Sequence, residues 1–110
     1  MKCIPIAAAL SLLVLPLAAM AQDAERKNPR PDPQKGAELA KRWCASCHLV
    51  AKDQTKAVDG IPSFAAIAQR GNIGAGRLAF LLLNPHPAMP AMTLTRNEAR
   101  DLAAYIATQK

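Results

Sequence analysis

Residues 43–48 read Trp43-Cys44-Ala45-Ser46-Cys47-His48, and no other stretch restricts the fold of the chain so strongly. Two thiols separated by two residues and followed at once by an imidazole form the pattern of covalent c-type haem attachment. On a helix, residues i and i+3 project from one face, so Cys44 and Cys47 can both reach the two vinyl groups along one side of a porphyrin. His48 stands next in line to turn its ring under the same porphyrin and bind the iron axially. Shuffling a chain with 3 Cys and 2 His produces this pattern with odds on the order of one in a thousand. A chain that carries it is expected to fold around a flat, largely apolar group.

The length agrees with that need. Lys2, the apolar stretch from Ile4 to Leu17 and the A-x-A-like Ala19-Met20-Ala21 are the three parts of a cleavable export signal. The apolar stretch is broken by Pro5 and Pro16 and is shorter than the ~20 residues of a bilayer span. A cleaved signal over 1–21 is therefore expected in preference to a retained anchor, and Cys3 is expected to leave with it. Cleavage after Ala21 leaves 89 of the 110 residues, enough for one small domain. Domains of that size bury little apolar surface and often need a staple, metal or cofactor. A buried porphyrin supplies the missing core.

Removal of Lys2 lowers the formal net charge from +6 to +5, or to about +3 with two ionised haem propionates. That balance suits an acidic partner surface or plain solubility. The cations are dispersed and aromatics are 4% of the chain, so nucleic-acid binding is a poor reading.

Along the remaining chain, residues 22–32 are polar and proline-rich (Pro29, Pro31), an extended lead-in without a core face. Asp32-Pro33 reads as N-cap and first residue of a helix. Gly36, Leu39, Ala40, Trp43, Cys44 and Cys47 then lie on one helical face, with the motif at its C-terminal end. Glycine inside a helix is unfavourable unless something packs closely on it, so Gly36 marks a crossing with another helix. From Leu49 to Gly60 periodicity is lost and Lys52–Lys56 reads as solvated loop. Phe64, Ile67 and Ala68 mark a short helix ending at Gly71. Another helix is expected over about 75–83, with Leu78, Leu81 and Leu82 inward, stopped by Asn84-Pro85. Pro85, Pro87 and Pro90 require a stiff, extended loop. Thr95 to Glu98 is a capping box; it opens a last helix whose buried stripe is Ala99, Leu102, Tyr105 and Ile106. No strand-like alternation is present, so the expected fold is all-α.

An iron held by His48 has a second axial position, for which Met89, Met92 and His86 are the candidates. A thioether there favours the reduced ion; an open position favours ligand binding. Methionine is more often core filler than ligand, but the proline scaffold around Met89 aims its side chain at small entropic cost, which favours Met89 over Met92 and His86.

With these residues in view, the chain resembles the small class I c-type cytochromes of bacteria. Members carry a C-x-x-C-H helix and, towards the C-terminus, a Met-Pro loop before a capped helix. Here these read Cys44-Ala45-Ser46-Cys47-His48, Met89-Pro90-Ala91-Met92-Thr93-Leu94-Thr95 and Asp101-Leu102-Ala103-Ala104-Tyr105-Ile106. The resemblance covers 33–110. It implies a cytochrome c fold of four to five helices around one covalently attached haem. Cys44 and Cys47 would be thioether sites, and His48 and Met89 the axial pair. Gly36 would meet the last helix near Leu102 and Tyr105. The Pro62 carbonyl would accept the His48 ring N–H and so fix its tautomer. Two departures stand out: Ile61 separates Gly60 from Pro62, which are adjacent in many relatives, and Ala40 replaces a larger apolar residue, with Trp43 as compensation.

The leading functional reading is a periplasmic one-electron carrier rather than an enzyme, free or serving as haem subunit or electron acceptor of a periplasmic dehydrogenase. Its partners would be redox proteins with acidic docking surfaces. Arg70 and Arg77 are candidate partners of the haem propionates. The alternative from another class is a thioredoxin-like thiol–disulfide oxidoreductase using Cys44 and Cys47, which requires strands. A zinc site on Cys44, Cys47, His48 and His86 fits a tetrahedron awkwardly because Cys47 and His48 are adjacent. A purely structural Cys44–Cys47 disulfide is the remaining alternative.

Overall fold

Asp32 starts the first helix. Its Oδ1 accepts from the backbone N–H of Gln34 at 2.9 Å and of Lys35 at 3.4 Å, two donors that otherwise lack partners at a helix start. Pro33 takes the first helical position, where a missing N–H is harmless, and α1 runs Pro33–Trp43. The structure, a computed structural model, describes residues 28–110. The expected export signal, with Lys2 and Cys3, and the lead-in as far as residue 27 lie outside the described residues.

Three further helices follow: α2 (Phe64–Ala68), α3 (Ala75–Leu83) and α4 (Arg96–Ala107). No strand occurs among the described residues, and the fold is all-α. The thioredoxin-like alternative therefore has no sheet to stand on.

The last helix is the hub: α4 packs against α1, α3 and α2. Its start is a complete capping box. Glu98 N–H donates to Thr95 Oγ1 at 3.2 Å while Thr95 N–H donates to Glu98 Oε2 at 2.7 Å. Ala99, Leu102, Ala103 and Ile106 are all buried, as a core-facing stripe requires. The crossing with α1 is at Gly36. A Cβ there would collide with the Asp101 carbonyl oxygen and come within 2.7 Å of Tyr105 Cβ, so hydrogen alone fits. Asp101 also holds the helix start, since its Oδ1 accepts the Asp32 N–H at 2.7 Å.

Several local expectations need correction. The helix ends at Trp43, ahead of both thiols, because the Cys44 and Ala45 N–H groups share the Ala40 carbonyl, at 2.9 and 3.1 Å. The regular i→i−4 ladder gives way there, and Trp43 turns outward to 39% exposure. The short helix α2 begins on a Ser63 cap, whose Oγ accepts the Ala66 N–H at 3.1 Å. It closes at Gln69 in ordinary helical geometry, not at Gly71; the positive φ among the described glycines belongs to Gly60. On α3 the buried residues are Ala79 and Leu82, whereas Leu81 is 39% exposed. The proline segment is not simply extended: Met89 N–H bonds the His86 carbonyl at 2.9 Å, which makes a four-residue turn with Pro87 at its second position, where a fixed φ is favourable. Gln54, within the stretch read as solvated, is half-buried and heavily hydrogen-bonded.

Candidate functional site

The motif lies in two linked turns beyond α1. Cys47 and His48 N–H groups both bond the Cys44 carbonyl, at 3.1 and 2.8 Å, which brings the two thiols and the imidazole to one end of the helix. Cys44 and Cys47 are free thiols, the first buried. Burial pushes the Cys44 thiol up to about 11. Thiol–disulfide exchange needs the opposite, a thiol acidified towards neutral pH, so Cys44 is poorly suited to that chemistry. The two cysteines also do not form the structural disulfide considered above.

His48 is held from both sides. Its Nδ1 stands 2.7 Å from the Pro62 carbonyl oxygen. A carbonyl accepts only, so Nδ1 carries the proton, and in the neutral ring Nε2 keeps its lone pair. The Phe64 ring tilts against the imidazole at a centroid distance of 5.7 Å, and Tyr105 meets Phe64 edge-on at 6.3 Å. Phe64 is itself fixed by its N–H bond to the Leu49 carbonyl at 2.9 Å. Tyr105 Oη donates to the Val50 carbonyl at 2.8 Å. This aromatic relay from α4 to His48 was not read from the sequence, since it joins rings that no local spacing links.

Two adjoining clefts share Cys44, His48, Pro62, His86 and Met89 in their walls. The larger, about 860 Å³ including its open mouth, is closed by Phe64, Ile67, Leu78, Leu81, Leu82 and Ile106, with Arg70 also in its lining. The smaller, about 560 Å³, adds Trp43, Cys47, Met89's neighbours Ala88 and Pro90, and Met92. The structure thus brings Cys44, Cys47, His48, Pro62 and all three sixth-ligand candidates to one region. Met89 and His86 border both clefts; Met92 borders the smaller. Arg77 borders neither of them.

This donor set fits a haem. Two thiols, an imidazole with a free Nε2, thioether candidates on the proline loop and apolar walls suit a porphyrin iron. They do not suit a bare metal ion: among the described residues no group of three His, Cys, Asp or Glu side chains is arranged to hold one, so the zinc alternative lacks a ligand cluster.

Comparison with known proteins agrees with the geometry. Residues 31–106 match the family model described as cytochrome c oxidase, cbb3-type, subunit III. The chain is also 56% identical to cytochrome c-552 of Bradyrhizobium diazoefficiens over 75 residues, 68% of this chain and 72% of the relative. No solved structure matches the chain significantly.

Proposed function

The chain belongs to the small class I c-type cytochromes, and from that premise we propose that it is an exported, periplasmic one-electron carrier with a single, covalently bound haem. As a member of this family it is an electron-transfer protein, not an enzyme by itself, and its cofactor is haem c. In the proposed arrangement Cys44 and Cys47 would hold the haem through thioethers, and His48 and Met89 would ligate its iron. When bound, the haem would supply one-electron redox chemistry at its iron.

The observation that carries this reading is the shared cleft, in which Cys44, His48, Pro62 and Met89 converge. The chain's own part is positional. Pro62 holds the His48 tautomer through the 2.7 Å contact, and Phe64 limits rotation of the ring. Leu78, Leu81, Leu82 and Ile106 line the larger cleft and exclude water, so that little solvent reorganises when charge changes. Arg70, which lines that cleft, would meet a propionate. No described helix is long and apolar enough to cross a membrane.

The basic balance of the chain supports redox partners with acidic docking faces, joined at a salt-dependent rate. The matched family describes an oxidase subunit, which supports service to an oxidoreductase complex; a role as haem subunit or electron acceptor of a periplasmic dehydrogenase is part of the proposal. The test is production in a host with cytochrome c maturation, followed by acid–acetone extraction. Wild-type protein is expected to stay red and give a c-type pyridine haemochrome, and a Cys44→Ser, Cys47→Ser double variant to lose colour. Colourless wild-type protein with two titratable thiols contradicts the reading.

A further inference from the structure

Between the motif and Pro62 the chain makes no helix, and residues 49–60 are loop and turn. Backbone carbonyls in such a stretch need partners from outside a helical ladder. Cys47 finds one in the Val58 N–H at 3.1 Å. Three more carbonyls, two in the motif and one in the loop, face a single side chain, that of Gln54. Gln54 Oε1 accepts the Val50 N–H at 3.0 Å. Its Nε2 faces the carbonyls of Ala45 at 3.0 Å, His48 at 2.8 Å and Lys56 at 2.8 Å. The partners leave no choice of amide orientation, since an N–H meets only the oxygen and carbonyls only the NH2 group.

The carbonyls of Ala45 and His48 bracket the second thiol and the imidazole. Beyond Trp43 the helical ladder has ended, so Gln54 supplies donors that a further helical turn otherwise provides. Val50, the residue whose N–H it takes, is 2% exposed and receives the Tyr105 hydroxyl on its other side. His48 is consequently fixed at two points: the ring by Pro62 and the main chain by Gln54.

We propose that Gln54 is a positioning residue for the haem-attachment motif, setting the peptide planes from which Cys47 and His48 project. The proposal rests on the haem reading above. Glutamine meets the requirement because it ends in two donors and one acceptor. Ionised glutamate offers the acceptor alone, and methionine, of similar length, offers neither. Groups that orient a metal-binding imidazole tune the ligand without touching the metal, and Gln54 does so through the main chain.

The test uses full-length holoprotein from a host with cytochrome c maturation, comparing wild type with Gln54→Met, Gln54→Glu and, as a control on the same loop, Thr55→Ala. Two quantities are read: the hyperfine-shifted ring-proton resonances of His48 in the ferric protein, and hydrogen exchange of the Val50 N–H. Both Gln54 variants are expected to move the His48 resonances and the reduction potential, with Thr55→Ala unchanged. Val50 exchange is expected to rise roughly five- to tenfold in Gln54→Met, the effect of one lost hydrogen bond, and to stay near wild type in Gln54→Glu, which keeps the acceptor. A purely structural role would lower the denaturation midpoint and leave the His48 resonances in place. If Gln54→Met fails to fold, Gln54→Glu decides alone. Wild-type resonances in the folded variants, or equal shifts in Thr55→Ala, overturn the proposal. Wild type without covalent haem overturns it together with the haem reading.

Discussion

Tyr105 donates its phenol proton to the carbonyl of Val50 at 2.8 Å, across 55 positions of sequence. The bond ties α4 to the loop that leaves the haem motif. It satisfies a carbonyl on a residue that is 2% exposed. Tyr105→Phe is therefore expected to lower unfolding free energy by about 1–2 kcal/mol, read from urea denaturation, with haem attachment intact.

The same tyrosine gives a pH signature. Burial, with the Asp53 carboxylate second, holds its phenol above the ordinary value. A raised value means that the added stability is fully present below pH about 10 and declines as pH rises through the folded value. Denaturation midpoints between pH 9 and 11.5 are expected to fall less steeply in Tyr105→Phe than in wild type. An identical slope contradicts the assignment.

At the other end of α4 the sign is reversed. The backbone N–H of Thr95, then its hydroxyl, and beyond them the Arg42 charge hold the Glu98 carboxyl below its ordinary value. Its contribution is present above the ordinary glutamate range and is lost as pH falls through the lower, folded value. Glu98→Gln is expected to reduce the drop in midpoint between pH 6 and pH 3, measured in the same urea series.

Glycine position sets a third contrast. Gly36→Ala drives a Cβ into the Asp101 backbone, and backbone cannot swing aside as a side chain can. A loss of roughly 1–3 kcal/mol is expected. Gly76 sits in the first turn of α3 with open space around it, so Gly76→Ala is expected to gain about 0.5–1 kcal/mol. Opposite shifts in thermal midpoint check both.

Much of the scaffold was legible because its signals are local. Asp32-Pro33 and Thr95 to Glu98 specify helix starts through hydrogen bonds spanning three residues, and Gly36 announced a close crossing by its cost. What the sequence hid is long-range or rotational. Gln54 looks like any solvated polar residue until its amide is seen among carbonyls from Ala45 to Lys56. Leu78, Leu81 and Leu82 are alike in sequence, but α3 turns Ala79 and Leu82 into the packed core and leaves Leu81 at the cleft wall. Trp43 fits the apolar face of α1, yet the ladder breaks at Ala40 and the indole turns outward to the smaller cleft. The region around the motif was readable from the motif itself; the contacts that brace it were not, since they come from a loop without periodicity.

In the proposed site His48 and Met89 would both ligate one haem iron. The ligand pair is read from the sulfur-to-iron charge-transfer band of the ferric holoprotein in wild type, Met89→Ala and Met92→Ala. The band is expected in wild type and Met92→Ala and absent from Met89→Ala. A band that survives in Met89→Ala and disappears in Met92→Ala, or is missing from wild type, contradicts it.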